Sequence, residues 1–164
     1  MLKQLLKQTD TQLYKDINQV GCFFRSSVAI AELASKQVLG SQDINKLWDI
    51  AVEKKFIVDR NMVKGAAPII NLAFAKLNEK FSTPIVKAYE VGTIRGGKVT
   101  FYDSIPANMR RCDAIIRKIR RPKISPYPYH FVLLPFGKEP VWDPHDPPLL
   151  SAGTEYEIAF CLKA

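Results

Sequence analysis

The chain reads as an α+β protein, an N-terminal helical half followed by a C-terminal antiparallel sheet, and three observations predict it. Apolar residues recur at helical spacing through the first half. After Pro84 the pattern changes to short runs rich in β-branched and aromatic residues. Turns, and no crossover helices, separate those runs, which selects antiparallel pairing.

The helical half is read in order from its stripes. Leu2, Leu5, Leu6 and Leu13 predict a short amphipathic start. A second helix runs from about Cys22 to Lys36 and ends near Gly40; it is apolar on most faces, which marks it as the buried central helix. Ser41 serves as the expected N-cap of a third helix to about Lys55, with Ile44, Leu47, Trp48, Ala51 and Val52 on one stripe. A polar, turn-like connection from Val58 to Gly65 leads to a fourth helix from Pro68 to Lys80.

The sheet half begins with strands at Ile85 to Val91 and Thr93 to Arg95. A Gly96-Gly97 turn leads into Lys98 to Tyr102, a hairpin signal. Further strands are expected at Ala114 to Ile119, Tyr129 to Leu134, Val141 to Asp143 and Tyr156 to Leu162. The whole is expected to be one domain, residues 1–164, with a helical lobe over about 1–82 and a sheet lobe over about 83–164.

Composition excludes several classes. Hydrophobic residues make up 47% and charged residues 24%, which argues against global disorder. No segment has the length of a secretory h-region or a membrane span, so a cytoplasmic protein without a membrane partner is expected. The three cysteines, Cys22, Cys112 and Cys161, are odd in number and scattered, which predicts reduced thiols and argues against a zinc knuckle. His145 lies between Asp143 and Asp146, but neighbours in a Pro-rich turn point in different directions, so no metal site is expected there.

The net charge of +8 is concentrated. From Arg110 to Lys123 seven cations face the single Asp113, which accounts for six of the eight charges. That run could place Arg117 and Arg121 on an exposed sheet face where phosphates bind, so nucleic-acid binding is an alternative class of function, although no nucleic-acid motif accompanies the run.

Cys22 stands where a polar turn gives way to the apolar run of the second helix. A helix N-terminus favours thiolate over thiol, because unpaired N–H groups and the helix dipole face the sulfur. A thiol nucleophile needs a base and a group to orient that base. His130, at the start of a strand, is the candidate base. If Gly137-Lys138 forms a two-residue turn, Val132 pairs with Asp143, which makes His130 and Asp143 diagonal neighbours with Cα atoms about 7 to 8 Å apart. The oxyanion donors would be the Cys22 N–H and the amide of Gln19, with Asn18 as second candidate. Blander roles stay open: His130 as a strand-edge imidazole bonded to backbone, and Asp143 as a cap on the turn before Pro144.

Gly21-Cys22 opening an apolar helix, His130-Phe131-Val132-Leu133 opening a strand and Val141-Trp142-Asp143-Pro144 after it together resemble the papain-like cysteine peptidase superfamily, closest to its C39-like and NlpC/P60-like bacterial branches. The resemblance implies a papain-like fold, a helical lobe carrying the cysteine against a sheet carrying the histidine and its partner. It also implies hydrolysis of peptide or other amide bonds, including cell-wall peptides, without metal or organic cofactor, in a small bacterial or phage-encoded protein. Papain-like domains that have lost catalysis keep the shape, so a silent binding module is the third class.

Overall fold

The computed structural model describes residues 1–123 and 127–164 and is a mixed helix and antiparallel-sheet fold, of the α+β class. A 3-10 turn at Leu2–Gln4 precedes α1 (Lys15–Val20), α2 (Cys22–Ser35) and α3 (Ser41–Glu53). The small hairpin β1 (Ile57–Val58) and β2 (Asn61–Met62) leads to α4 (Ala67–Phe81). There follow β3 (Lys87–Arg95), β4 (Lys98–Phe101), a 3-10 turn at Ala107–Met109, β5 (Ala114–Arg120), β6 (Tyr129–Leu134) and β7 (Thr154–Lys163).

Five strands form one antiparallel sheet in the order β4-β3-β7-β5-β6. The last strand of the chain therefore lies in the middle. Its composition explains the position: Ile158, Ala159, Phe160 and Cys161 are consecutive and all buried, which requires cover on both faces. One face, with Ile116, Ile158 and Phe160, packs on the helices; the other, with Ile115, Ala159 and Cys161, packs on Met109, Leu134 and Val91. Gly96 and Gly97 adopt φ of +57° and +78°, the left-handed backbone that a tight hairpin turn demands, and set Arg95 opposite Lys98.

α2 is the central helix, buried from Phe24 to Leu33 between α4 and the β5–β6 edge. Two of those buried residues are charged. Arg25 and Glu32, seven positions apart and so on one face, form an ion pair at 2.7 Å with both side chains fully buried. Arg25 Nε also donates to the Leu6 carbonyl at 2.7 Å, and Glu32 Oε2 accepts the Leu39 N–H at 2.9 Å. The pair thus fastens the N-terminal segment and the α2–α3 connection to the core helix.

Several boundaries differ from the sequence reading. The amphipathic start is not a helix beyond the 3-10 turn, because Leu5 and Leu13 are buried from an irregular strap. α1 was not foreseen. Ser41 is the first residue of α3 and not its cap; Gly40 holds that position, and the Ser41 hydroxyl donates to Gln12 Oε1 at 3.1 Å instead. The turn-like 58–65 connection carries the β1–β2 hairpin, and Ile85 and Val86 precede β3 without joining it. Val141 to Asp143 is no strand: one bridge, Leu133 to Trp142, is all that forms, since Pro140 and Pro144 flank the segment and remove donors on either side.

Candidate active site

α1 and α2 meet at Gly21, whose N–H closes α1 on the Ile17 carbonyl at 2.9 Å. A Cβ there would lie 2.5 Å from that carbonyl oxygen, so glycine is what lets the second helix start immediately after the first. Cys22 is the first residue of α2 and is half-buried. No side chain caps this end, and the N–H groups of its first turn have no intrahelical acceptor, so Cys22 sits where partial positive charge gathers.

His130 is buried on β6, the edge strand, with its Nε2 2.6 Å from Asp143 Oδ1. Asp143 reaches it because Leu133 and Trp142 exchange both backbone hydrogen bonds, at 2.9 and 2.7 Å, which places Val132 opposite Asp143. The register equals the one counted across Gly137-Lys138, but the tight turn forms earlier, over residues 134–137, where the Gly137 N–H donates to the Leu134 carbonyl at 3.1 Å. The Asp143 carboxylate also accepts the N–H of His145 at Oδ1, 2.8 Å, and the N–H of Leu149 at Oδ2, 2.9 Å. It therefore caps the Pro-rich turn and pairs with the imidazole at once.

With Nε2 committed to Asp143, Nδ1 is the nitrogen left for Cys22, whose thiol hydrogen-bonds the ring. Burial alone would lower the His130 pKa; the hydrogen bonds and charges of Asp143 and Cys22 outweigh it and push it up to about 9. Burial likewise favours the neutral acid at Asp143, but the His130 ring and the two backbone N–H groups hold its carboxyl below the usual range. At neutral pH the imidazole is a cation between carboxylate and sulfur.

Phe23 and Phe131, the residues that follow Cys22 and His130, stack with ring centroids 4.3 Å apart and planes 12° from parallel. The stack holds the tip of α2 against β6. The N-terminal strap closes the other side: the Gln8 N–H donates to the Pro144 carbonyl at 2.7 Å, and Lys7 Nζ donates to the Asp143 carbonyl while lying 4.8 Å from the Trp142 ring centroid. Burial lowers the Lys7 pKa against the opposing pull of Asp143 and Asp146.

A cavity of about 460 Å³ opens beside His130, lined by Gln8, Gln19, Arg121, Tyr129, His130 and His145 among others; Cys22 lies next to the ring and is not itself part of the lining. Gln19 is exposed on α1 and lines the cavity; its Oε1 accepts from Arg60 Nη1 at 3.3 Å, and its NH₂ group has no partner among the described residues. Asn18 lines the same cavity, but both hydrogens of its amide are spent on the Gln8 and Asp10 carbonyls, at 2.6 and 2.9 Å. Asn18 is therefore not an oxyanion donor. The structure thus gathers Cys22, His130 and Asp143, keeps Gln19 at the rim and removes Asn18.

Gln8 and the Phe23–Phe131 stack are not read from the sequence, and His145 is read there only as a discounted metal ligand. Gln8 is buried, its Nε2 held at 3.3 and 3.5 Å from the Asn18 and Ile17 carbonyls and its Oε1 without a partner among the described residues. Only the matched spacing of Cys22-Phe23 and His130-Phe131 carried a signal for the stack. Cys112 and Cys161 lie apart on the sheet side, and burial raises the pKa of both thiols. Among the described residues no helix is long and apolar enough to cross a membrane. No family model matches this chain, and no curated protein or solved structure matches it.

Proposed function

We propose that this chain is a cysteine-dependent amide hydrolase of papain-like architecture, with Cys22 as nucleophile, His130 as acid and base, Asp143 as orienter and Gln19 with the Cys22 N–H as oxyanion donors. The observation that carries the reading is a buried imidazole bonded through one nitrogen to a carboxylate at 2.6 Å while a helix-terminal thiol bonds the same ring.

The Cys22 sulfur forms a bond to the acyl carbon, and the carbonyl π pair moves to oxygen, where the donors stabilise it. Collapse of that intermediate breaks the C–N bond as His130 gives its Nδ1 proton to the leaving nitrogen. Water then adds to the thioester carbon and loses a proton to His130; the C–S bond breaks, releasing the acid and restoring the sulfur. Asp143 keeps the ring in place and stabilises its cationic form throughout. Substrates of this class are peptides or peptidoglycan-like amides.

The test is capture of the acyl-enzyme. Incubation with p-nitrophenyl acetate followed by peptide mapping should place a hydroxylamine-labile acetyl group on Cys22, and His130→Ala should abolish it. An acetyl group distributed over Cys22, Cys112 and Cys161, or unaffected by His130→Ala, would overturn the assignment.

A further inference from the structure

The basic run from Arg110 to Lys123 divides into two parts in space. Most of its first part is neutralised: Arg111 pairs with Asp113 at 2.9 Å, Arg117 with Glu157 at 3.0 Å and Glu139 at 3.3 Å, and Lys118 with Glu155 at 3.4 Å, while Arg110 is exposed and bonds the Ile105 carbonyl. Arg117 therefore does not present an open sheet-face charge, contrary to the expectation from sequence. Arg120, Arg121 and Lys123 have no acidic partner among the described residues. These three line one depression with Tyr129, and Arg121 and Tyr129 also line the cavity that holds the His130 ring.

Arg121 is fixed in place. Its N–H donates to the Pro128 carbonyl at 2.8 Å and its Nη1 donates to the Leu150 carbonyl, which leaves Nε and Nη2 uncommitted among the described residues. A planar guanidinium with a free edge is suited to bidentate contact with a carboxylate. His145 adds a second polar group on the same wall: its Nδ1 is held by the Pro147 carbonyl at 2.7 Å, so its Nε2 is the nitrogen left for a ligand.

Resting on the hydrolase reading above, we infer that the cavity selects substrates carrying a carboxylate near the scissile amide, with Arg121 as the specificity-determining residue and Arg120 and Lys123 drawing the acidic chain to the cavity mouth. An acidic peptide is favoured over a phosphate polymer for two reasons. Arg121 belongs both to the cavity shared with His130 and to the adjoining depression lined by Arg120 and Lys123, so one small substrate can meet the ring and a guanidinium. Arg117 and Lys118, the next cations along the strand, which an extended polyanion would need, are already paired with carboxylates.

The test uses tripeptidyl chloromethyl ketones in which Glu replaces Gln at each position in turn, the Cys22 sulfur displacing chloride from the methylene carbon. At one position or more the Glu probe should label Cys22 about tenfold faster than its Gln twin. Arg121→Gln should bring that ratio to about one, and Arg121→Lys should retain part of it. A structural role for Arg121 would slow both probes alike and leave the ratio intact, and that result, or equal Glu and Gln rates in the unmodified protein, would overturn the inference. Protection of Cys22 from both probes by a single-stranded oligonucleotide at low salt would reassign the cations to phosphate and also overturn it. Failure of every probe to label Cys22 ahead of Cys112 would remove the hydrolase reading itself and this inference with it.

Discussion

Phe23 and Phe131 lie face to face at 4.3 Å, and each is the chain neighbour of a residue in the Cys22–His130 pair. The stack joins the first turn of α2 to the edge strand β6, so the distance between sulfur and imidazole is set by an aromatic contact one residue away from both. Truncating either ring should cost about 1 to 3 kcal/mol of stability, as both are half-buried, with a coupling of about 0.5 to 1.5 kcal/mol in the double-mutant cycle. Urea denaturation of Phe23→Ala, Phe131→Ala and the double variant measures this. Cys22 alkylation should also slow in both single variants; unaltered rates would detach the stack from the site.

Asp143 is predicted to control the charge on His130. Asp143→Asn keeps a side chain that can accept a backbone N–H and loses the negative charge, so the His130 pKa should fall from about 9 toward its ordinary value. A proton NMR titration of the imidazole reads this directly. An unchanged midpoint would mean that Cys22 alone sustains the cation.

The same shift predicts how stability depends on pH. The folded-state pKa of His130 is raised, so its contribution is complete below about 6.5, the value for the free side chain, and is lost as pH rises through about 9. The full shift corresponds to a loss on the order of 3 kcal/mol. Asp143 has the opposite sign: its lowered pKa contributes above the ordinary 3.8 and is lost as pH falls below it. Denaturation curves of the protein and of His130→Gln between pH 6 and 10 should converge at the alkaline end. A constant difference across that range would contradict the assignment.

The buried Arg25–Glu32 pair predicts strong asymmetry between single and double substitutions. Arg25→Met leaves the Glu32 carboxylate with only the Leu39 N–H in a site fully shielded from water, and should cost about 3 to 5 kcal/mol. Removing both charges together should cost less than the sum, because no charge is then left unpaired. Equilibrium denaturation of both singles and the double decides it, and additive losses would refute the coupling.

How far the sequence disclosed this molecule depends on whether a feature is periodic or long-range. α2, α3 and α4 were legible because their apolar stripes repeat at 3.6 residues, and the β3–β4 hairpin because Gly96-Gly97 is a local signal. The central placement of β7 was not read from pairing, although four consecutive apolar residues in Ile158 to Cys161 imply cover on both faces. The approach of His130 to Asp143 followed from counting register across one turn. By contrast, the strap of residues 1–14 takes its shape from distant partners, Leu6 on Arg25 and Gln8 on Pro144, and a local pattern cannot encode those. Asn18 was misjudged for the same reason, since its amide is spent on carbonyls of that strap.

The central claim is that the Cys22 sulfur is activated by the imidazole beside it, and competitive alkylation with iodoacetamide near neutral pH, resolved by peptide mapping, tests it most directly. Burial raises the thiol pKa of Cys112 and Cys161, while Cys22 lies at an uncapped helix N-terminus against a cationic His130. Cys22 should be modified at least tenfold faster than either, and His130→Ala should erase the advantage; equal rates at the three cysteines, or a Cys22 rate indifferent to His130, would contradict it.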